Sequence, residues 1–108
     1  MPVDQDQLVV NRAVNGAVSV DGEMTIYRAS EVAQTLFATL RAHSGDVSLD
    51  LSAVSEFDTA GLQIVLMARR MVEAGGHRLD VVQPSECVAE VLELCNVTVS
   101  TGSQQAAA

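Results

Sequence analysis

The chain has 108 residues, 48% of them hydrophobic, which is enough for one small domain with a single core and argues against disorder of its main body. Six Lys and Arg residues against 14 Asp and Glu residues give a net charge of −8. That charge disfavours nucleic acid and anionic lipid surfaces as partners and favours a protein with basic groups.

No targeting or membrane segment is evident in the sequence. The N-terminal run Met-Pro-Val-Asp-Gln-Asp is acidic and lacks the basic and apolar regions of a signal peptide. The most apolar run, residues 62–68, is far shorter than the ~20 apolar residues that span a membrane. We therefore expect a cytoplasmic protein without membrane insertion, in which Cys87 and Cys95 are reduced core thiols.

The first half of the chain predicts strands followed by a helix. A possible extra strand lies near residues 8–10, and two short strands at residues 16–22 and 23–27 surround an Asp-Gly turn signal. From Ser30, a possible N-cap, apolar residues recur at spacings of three and four. This spacing predicts a helix that ends before Gly45.

The second half predicts two further strands, each followed by a helix. Apolar and polar residues alternate over residues 47–52, a strand, and a long helical pattern runs from Thr59 to Ala74, where a Gly-Gly pair ends it. Residues 78–83 form the last predicted strand, and a third helix follows Pro84. This order predicts an α/β fold whose later strands are parallel.

These elements define one domain. We place a lead-in or extra strand at residues 1–15, the domain at residues 16–99 and a disordered tail at residues 100–108, where the sequence shows no periodicity.

The residues that point to function lie where the third predicted strand leads into the second helix, in the run Ser55-Glu-Phe-Asp-Thr-Ala-Gly61. Polar side chains at a helix N-terminus meet free backbone N–H groups, which favour a side-chain oxygen or a phosphate. Taken alone, an Asp-Thr pair in this position is more often an N-cap than a phosphorylation site. Both roles stay open, since Asp58 can cap the helix while Thr59 faces outward.

Two motifs resemble the STAS domain, the family of anti-sigma factor antagonists and of the cytoplasmic tails of sulfate transporters. They are Leu49-Asp-Leu-Ser-x-Val and Phe57-Asp-Thr-Ala-Gly-Leu62, supported by Gly22-Glu-Met-Thr-Ile-Tyr and Leu79-x-Val-Val-x-Pro. The resemblance covers roughly residues 17–97. It implies the STAS fold, a mixed sheet of about four to five strands with helices packed on it.

The resemblance also implies a site. In antagonists of this family a partner kinase phosphorylates the Ser or Thr directly after the Asp, which here is Thr59. Many members have a second hydroxyl before the Gly, whereas this chain has Ala60, so Thr59 is the only candidate in the motif. We expect a face containing Glu56, Asp58, Thr59 and Gln63 to bind a protein partner, and phosphorylation of Thr59 to release it.

The implied function is that of a non-enzymatic regulatory module in bacterial signal transduction, in partner switching or linked to chemotaxis. Its expected partner is a serine/threonine kinase-type anti-sigma factor or a two-component signalling protein. The Asp-Thr-Ala-Gly-Leu form is also similar to the small STAS subunit of the lipid-asymmetry ABC transporter, which binds the transporter's ATPase. In that alternative Thr59 contacts the ATPase, and phosphorylation is optional.

Other kinds of site have little support in the sequence. His43 and His77 lack metal-binding spacing, no Gly-rich phosphate loop precedes a helix, and no nucleophile or acid/base pair is recognisable. We therefore expect no metal, no cofactor and no catalysis. Met67 and Met71 are four residues apart on the second predicted helix. They favour core packing, with an adaptable patch for a partner helix as the alternative.

Overall fold

The computed structural model describes residues 9–12 and 16–97, which form five strands and three helices. The strands are β1 (Val9–Arg12), β2 (Ala17–Met24), β3 (Val47–Asp50), β4 (Val54–Phe57) and β5 (Leu79–Val82). The helices are α1 (Ala29–Arg41), α2 (Thr59–Ala74) and α3 (Glu86–Leu94). The predicted tail at residues 100–108 lies outside the described residues. No helix in the described part is both long enough and apolar enough to cross a membrane.

The strands form one mixed sheet, with the order β1-β2-β3-β5 and with β4 paired to β2. β1 is antiparallel to β2, whereas β3 and β4 run parallel to successive segments of β2, and β5 runs parallel to β3. The predicted α/β fold with a mixed sheet of four to five strands is confirmed.

One face of the sheet is buried beneath the helices. Along β3 and β5 buried aliphatic side chains alternate with more exposed residues, so that Leu49 is buried while Ser48 is exposed and Asp50 is half-buried. The inward residues of the strands and helices form one cluster of aliphatic side chains with Met24 and Phe57. Burial of this cluster is the main source of stability. The opposite face of the sheet carries the polar side chains.

Two strand predictions were wrong. Residues 16–22 and 23–27 do not form two strands around a turn, because β2 runs without interruption through Gly22. Gly22 has φ 97°, and the pairing between β2 and β4 shifts by one position directly after it. The glycine therefore forms an irregularity within a strand. The second error is that residues 54–57, predicted only as a junction, form β4.

The helix predictions were closer to the structure. α2 has the predicted bounds. α1 begins two residues earlier than expected, because its N-cap is Arg28 and not Ser30, which lies inside the first turn. Cys87 and Cys95 are both free, as expected, but Cys95 is exposed and Cys87 is half-buried, so only Cys87 packs against the core.

Candidate functional site

The candidate site lies where β4 ends and α2 begins. Phe57, the last residue of β4, is buried in the core, and Asp58 is extended with φ −130° and ψ −167°. The chain turns helical at Thr59. A change from extended to helical backbone leaves the first N–H groups of the helix without partners, so an acceptor side chain is needed at this position.

Asp58 supplies that acceptor and a second connection. Its Oδ1 accepts hydrogen bonds from the N–H groups of Ala60 at 2.9 Å and Gly61 at 3.3 Å, which caps α2. Its Oδ2 accepts a hydrogen bond from the N–H of Ile26 at 3.0 Å. Bonds from N–H groups to an ionised carboxylate are stronger than bonds between neutral groups. The half-buried Asp58 carboxylate therefore caps α2 and holds the segment that follows β2.

Thr59 is the first residue of α2, and it is exposed. Because Asp58 caps the helix, the Thr59 hydroxyl is not required for that task. Of the two roles that the sequence left open for this pair, the cap belongs to Asp58, and Thr59 lies on the surface.

The segment after β2 is a tight, exposed turn, whereas the sequence predicted a strand there. The N–H of Arg28 donates to the carbonyl oxygen of Thr25 at 2.9 Å, which closes the turn. Ile26 and Tyr27 at its centre are 68% and 90% exposed. The sequence had one signal for this pair, since Tyr27 is the only tyrosine of the chain and follows a strand that ends in buried Met24.

Gly61 allows the turn and the helix to meet. A Cβ at this position would collide with the carbonyl oxygen of Met24 and would lie 2.9 Å from ring atoms of Phe57. A residue other than glycine would push the start of α2 away from the end of β2. The close approach fixes Thr59 beside the turn that carries Ile26 and Tyr27.

The predicted partner-binding residues differ in their availability. Glu56, Thr59 and Gln63 are exposed, and Gln63 lies one helical turn after Thr59 on the same side of α2. Asp58 is half-buried, with its carboxylate already engaged. Glu56 lies opposite Glu23 in the pairing of β4 with β2, so two acidic residues occupy paired positions at this end of the sheet. Among the predicted residues Glu56 is thus the exposed acidic one.

The two methionines of α2 have different environments. Met67 is 52% exposed, whereas Met71 packs against the core. They do not form a common surface patch, and Met67 instead follows Gln63 along the exposed side of the helix.

The histidines lie at the other end of the domain. Nε2 of His43 lies 3.2 Å from the carbonyl oxygen of Asp46, and Nδ1 of His77 lies 3.8 Å from Oδ1 of the same residue. Within the ranges that the structure describes, no group of three or more His, Cys, Asp or Glu side chains is arranged to hold a metal ion.

Residues 9–99 match the protein-family model described as "Mlab, STAS domain". Comparison with curated proteins finds no significant match.

Solved structures with the same fold include three anti-sigma factor antagonists. SpoIIAA of Bacillus in its unphosphorylated form matches over 91% of both chains, with a TM-score of 0.67 at 16% identity. Its phosphorylated form has a TM-score of 0.63 at 15% identity. A putative antagonist from Thermotoga maritima has a TM-score of 0.71 at 24% identity, over 91% of this chain and 90% of that one. An antagonist from Mycobacterium paratuberculosis has a TM-score of 0.71 at 21% identity, over 91% and 88%. At these identities the likeness establishes the fold.

Proposed function

The chain belongs to the STAS domain family. We propose that it is a non-enzymatic regulatory module that binds a protein partner at the start of α2. Phosphorylation of Thr59 then dissociates the complex. The fold is that of the anti-sigma factor antagonists. SpoIIAA, which has this fold, exists in phosphorylated and unphosphorylated forms. These findings support a regulatory role, and the residues at the start of α2 support a switch.

The observation that carries the proposal is the division of roles between Asp58 and Thr59. Asp58 takes the cap through Ala60 and Gly61, and Thr59 is exposed at the positive end of the helix dipole. A kinase can modify an exposed hydroxyl that has no structural task without disturbing the helix start.

A phosphate on Thr59 would remain at the surface. The N–H groups of Ala60 and Gly61, which could otherwise bind it, already donate to Asp58. The phosphate would add about −1.5 to −2 charge beside the carboxylates of Asp58 and Glu56. A partner docked on this face would meet that charge directly. We expect the repulsion and desolvation to cost about 1–3 kcal/mol, a factor of roughly 5 to 150 in affinity.

The proposed partner belongs to bacterial signal transduction. The acidic surface around Glu56 and the net charge of −8 fit a protein with basic groups on its docking face. We propose a serine/threonine kinase-type anti-sigma factor or a two-component signalling protein, in partner switching or linked to chemotaxis, with the complex forming in the cytoplasm.

Parallel pull-downs from the native host test the switch. Tagged wild type, Thr59→Ala and Thr59→Glu are compared, and mass spectrometry identifies the bound proteins and any phosphate on Thr59. Ser44→Glu is the matched control, since Ser44 is exposed near the end of α1, far from Thr59. We expect the partner to bind wild type, Thr59→Ala and Ser44→Glu, and to be lost from Thr59→Glu. Equal recovery with Thr59→Glu would contradict the switch.

A second candidate function is an accessory subunit that binds the ATPase of a lipid-asymmetry ABC transporter. We retain this candidate because the matching family description names Mlab and not the anti-sigma factor antagonists. The same pull-down distinguishes the two, because recovery of an ABC ATPase with unmodified Thr59 would favour the transporter.

A further inference from the structure

Four large hydrophobic side chains are strongly exposed in the part of the chain that the structure describes, and two of them are neighbours at the candidate site. Ile26 and Tyr27 are 68% and 90% exposed, whereas Met67 and Leu94 stand on α2 and α3 as single residues. Scattered exposed hydrophobic residues are normal, but adjacent ones at a candidate site call for a physical reason.

Hydrogen bonds fix the backbone of the turn that exposes Ile26 and Tyr27. The turn is closed between Arg28 and Thr25, its Ile26 N–H is bound by Asp58, and Thr25 at its base is buried. A turn fixed at both ends presents its central side chains with little conformational entropy left to lose on binding. Tyrosine is well suited to such a position, since it offers a large apolar area and a polar tip.

We propose that Ile26 and Tyr27 form the apolar anchor of the partner-binding surface, and that the partner is a folded protein with an apolar pocket for Tyr27 bordered by Arg or Lys side chains. This inference rests on the proposed function, because it concerns the same partner. Ile26 and Tyr27 would provide most of the binding affinity, and Thr59 would regulate the binding.

Charge complementarity defines the border of that pocket. Glu23 and Glu56 lie opposite each other at the end of the sheet, whereas Glu31 in the first turn of α1 already pairs with Arg28, with 3.7 Å between Oε1 and Nε. Like charges in paired positions repel, so a basic side chain placed between Glu23 and Glu56 would relieve this repulsion. A second copy of the chain would bring the same carboxylates and another charge of −8 to the interface. The partner is therefore a different, basic protein.

Asp58 couples the anchor to the switch. One carboxylate oxygen holds Ile26 and the other caps the helix that begins with Thr59. The two functional groups of the surface thus have a fixed relative position, and a phosphate on Thr59 would face a partner already seated on Tyr27.

Site-specific photocrosslinking in the native host tests the anchor. A benzoylphenylalanine replaces Tyr27 in one variant and Leu94 in another, because Leu94 is 85% exposed at the end of α3 and serves as the matched control. The protein crosslinked at position 27 is identified and purified. Its affinity is then measured for wild type, Tyr27→Ala and Leu94→Ala, with circular dichroism to confirm that each variant is folded.

We expect Tyr27→Ala to weaken binding by about tenfold or more and Leu94→Ala by less than about twofold. Affinity should fall as salt is raised, since the pocket is bordered by charge. Equal effects of the two alanine variants, no crosslink from position 27, or crosslinks only to second copies of the chain would overturn the inference.

Thr59→Glu in the same binding assay separates the two hypotheses. If Thr59→Glu abolishes binding and Tyr27→Ala does not, the switch holds and the anchor fails. If Tyr27→Ala abolishes binding and Thr59→Glu does not, the anchor holds and the phosphorylation switch fails.

Discussion

At the end of the domain where α2 begins, Asp58 accepts a hydrogen bond from the N–H of Ile26, and at the opposite end Asp46 accepts one from the N–H of Arg78 at 2.9 Å. Both bonds tie a loop to a backbone segment 32 residues away. The surroundings differ. At Asp46, residues that include Leu40, Val47 and Val72 line a cavity of about 200 Å³, and no strongly exposed large hydrophobic side chain of the described residues lies among them.

A hydrogen bond from a loop N–H to an aspartate is therefore not sufficient to define a binding site. The same device closes a loop at one end and, at the other, presents Ile26, Tyr27 and Thr59 to solvent. What distinguishes the ends is which side chains the held backbone leaves exposed. The second difference is that Asp58 caps a helix as well, whereas the Asp46 side chain accepts a hydrogen bond from the N–H of Arg78 and makes a long contact with His77.

The largest expected effects concern one glycine at each end. A Cβ on Gly61 would collide with the carbonyl oxygen of Met24, and one on Gly16, which has φ 79°, would collide with that of Asp46. We expect Gly61→Ala and Gly16→Ala each to lower the free energy of unfolding by about 2–4 kcal/mol in urea denaturation, because backbone must move in both cases.

Gly75→Ala is the matched control for the glycines. Its Cβ would meet ordinary contacts at 3.6 Å, and its φ of −88° suits any residue. We expect a change within about 0.5 kcal/mol. A Gly61→Ala variant as stable as Gly75→Ala would mean that α2 and β2 do not approach as closely as the candidate site requires.

The two aspartates should contribute unequally. Asp58→Ala removes a helix cap and the bond to Ile26, and we expect it to lower the free energy of unfolding by about 2 kcal/mol. Asp46→Ala removes one hydrogen bond from a side chain that is 73% exposed, and we expect a loss of about 1 kcal/mol or less. Urea denaturation of both variants measures the difference. Equal losses would remove the distinction between the two ends.

Sequence reasoning recovered the features of the site that depend on local chemistry. The bounds of α2 were predictable because the cap, the apolar spacing and the Gly-Gly pair are all within or beside the helix. The cap at Asp58 and the exposed Thr59 follow from the same short run.

The features it missed depend on contacts between distant segments. Gly22 was interpreted as a turn because an Asp-Gly pair is typical of turns, and only the pairing of β2 with β4 keeps the strand continuous there. The exposure of Tyr27 could not be predicted either, since it depends on the bond between Ile26 and Asp58 across 32 positions of the chain. Such contacts leave no periodic pattern in the sequence.

Another predicted effect concerns a buried side chain that distinguishes the two ends. Thr25, at the base of the exposed turn, is buried, and its Oγ1 has no hydrogen-bond partner, whereas the opposite end shows no such buried side-chain atom among the described residues. Thr25→Val keeps the side-chain shape and removes the unpaired hydroxyl. We expect it to raise the free energy of unfolding by about 1 kcal/mol in urea denaturation.

Thr39→Val is the control for Thr25→Val, since it breaks a 2.9 Å hydrogen bond to the carbonyl oxygen of Thr35 on α1 and should not stabilise the protein. A loss of stability in Thr25→Val would show that the hydroxyl has a partner in solution. Partner affinity should be unchanged in Thr25→Val, because the bonds that hold the turn come from the Thr25 carbonyl oxygen and Asp58, which the substitution leaves intact. A stabilised variant with weakened binding would contradict the fixed turn, because it would mean that docking requires movement of the turn and that the unpaired hydroxyl promotes this movement.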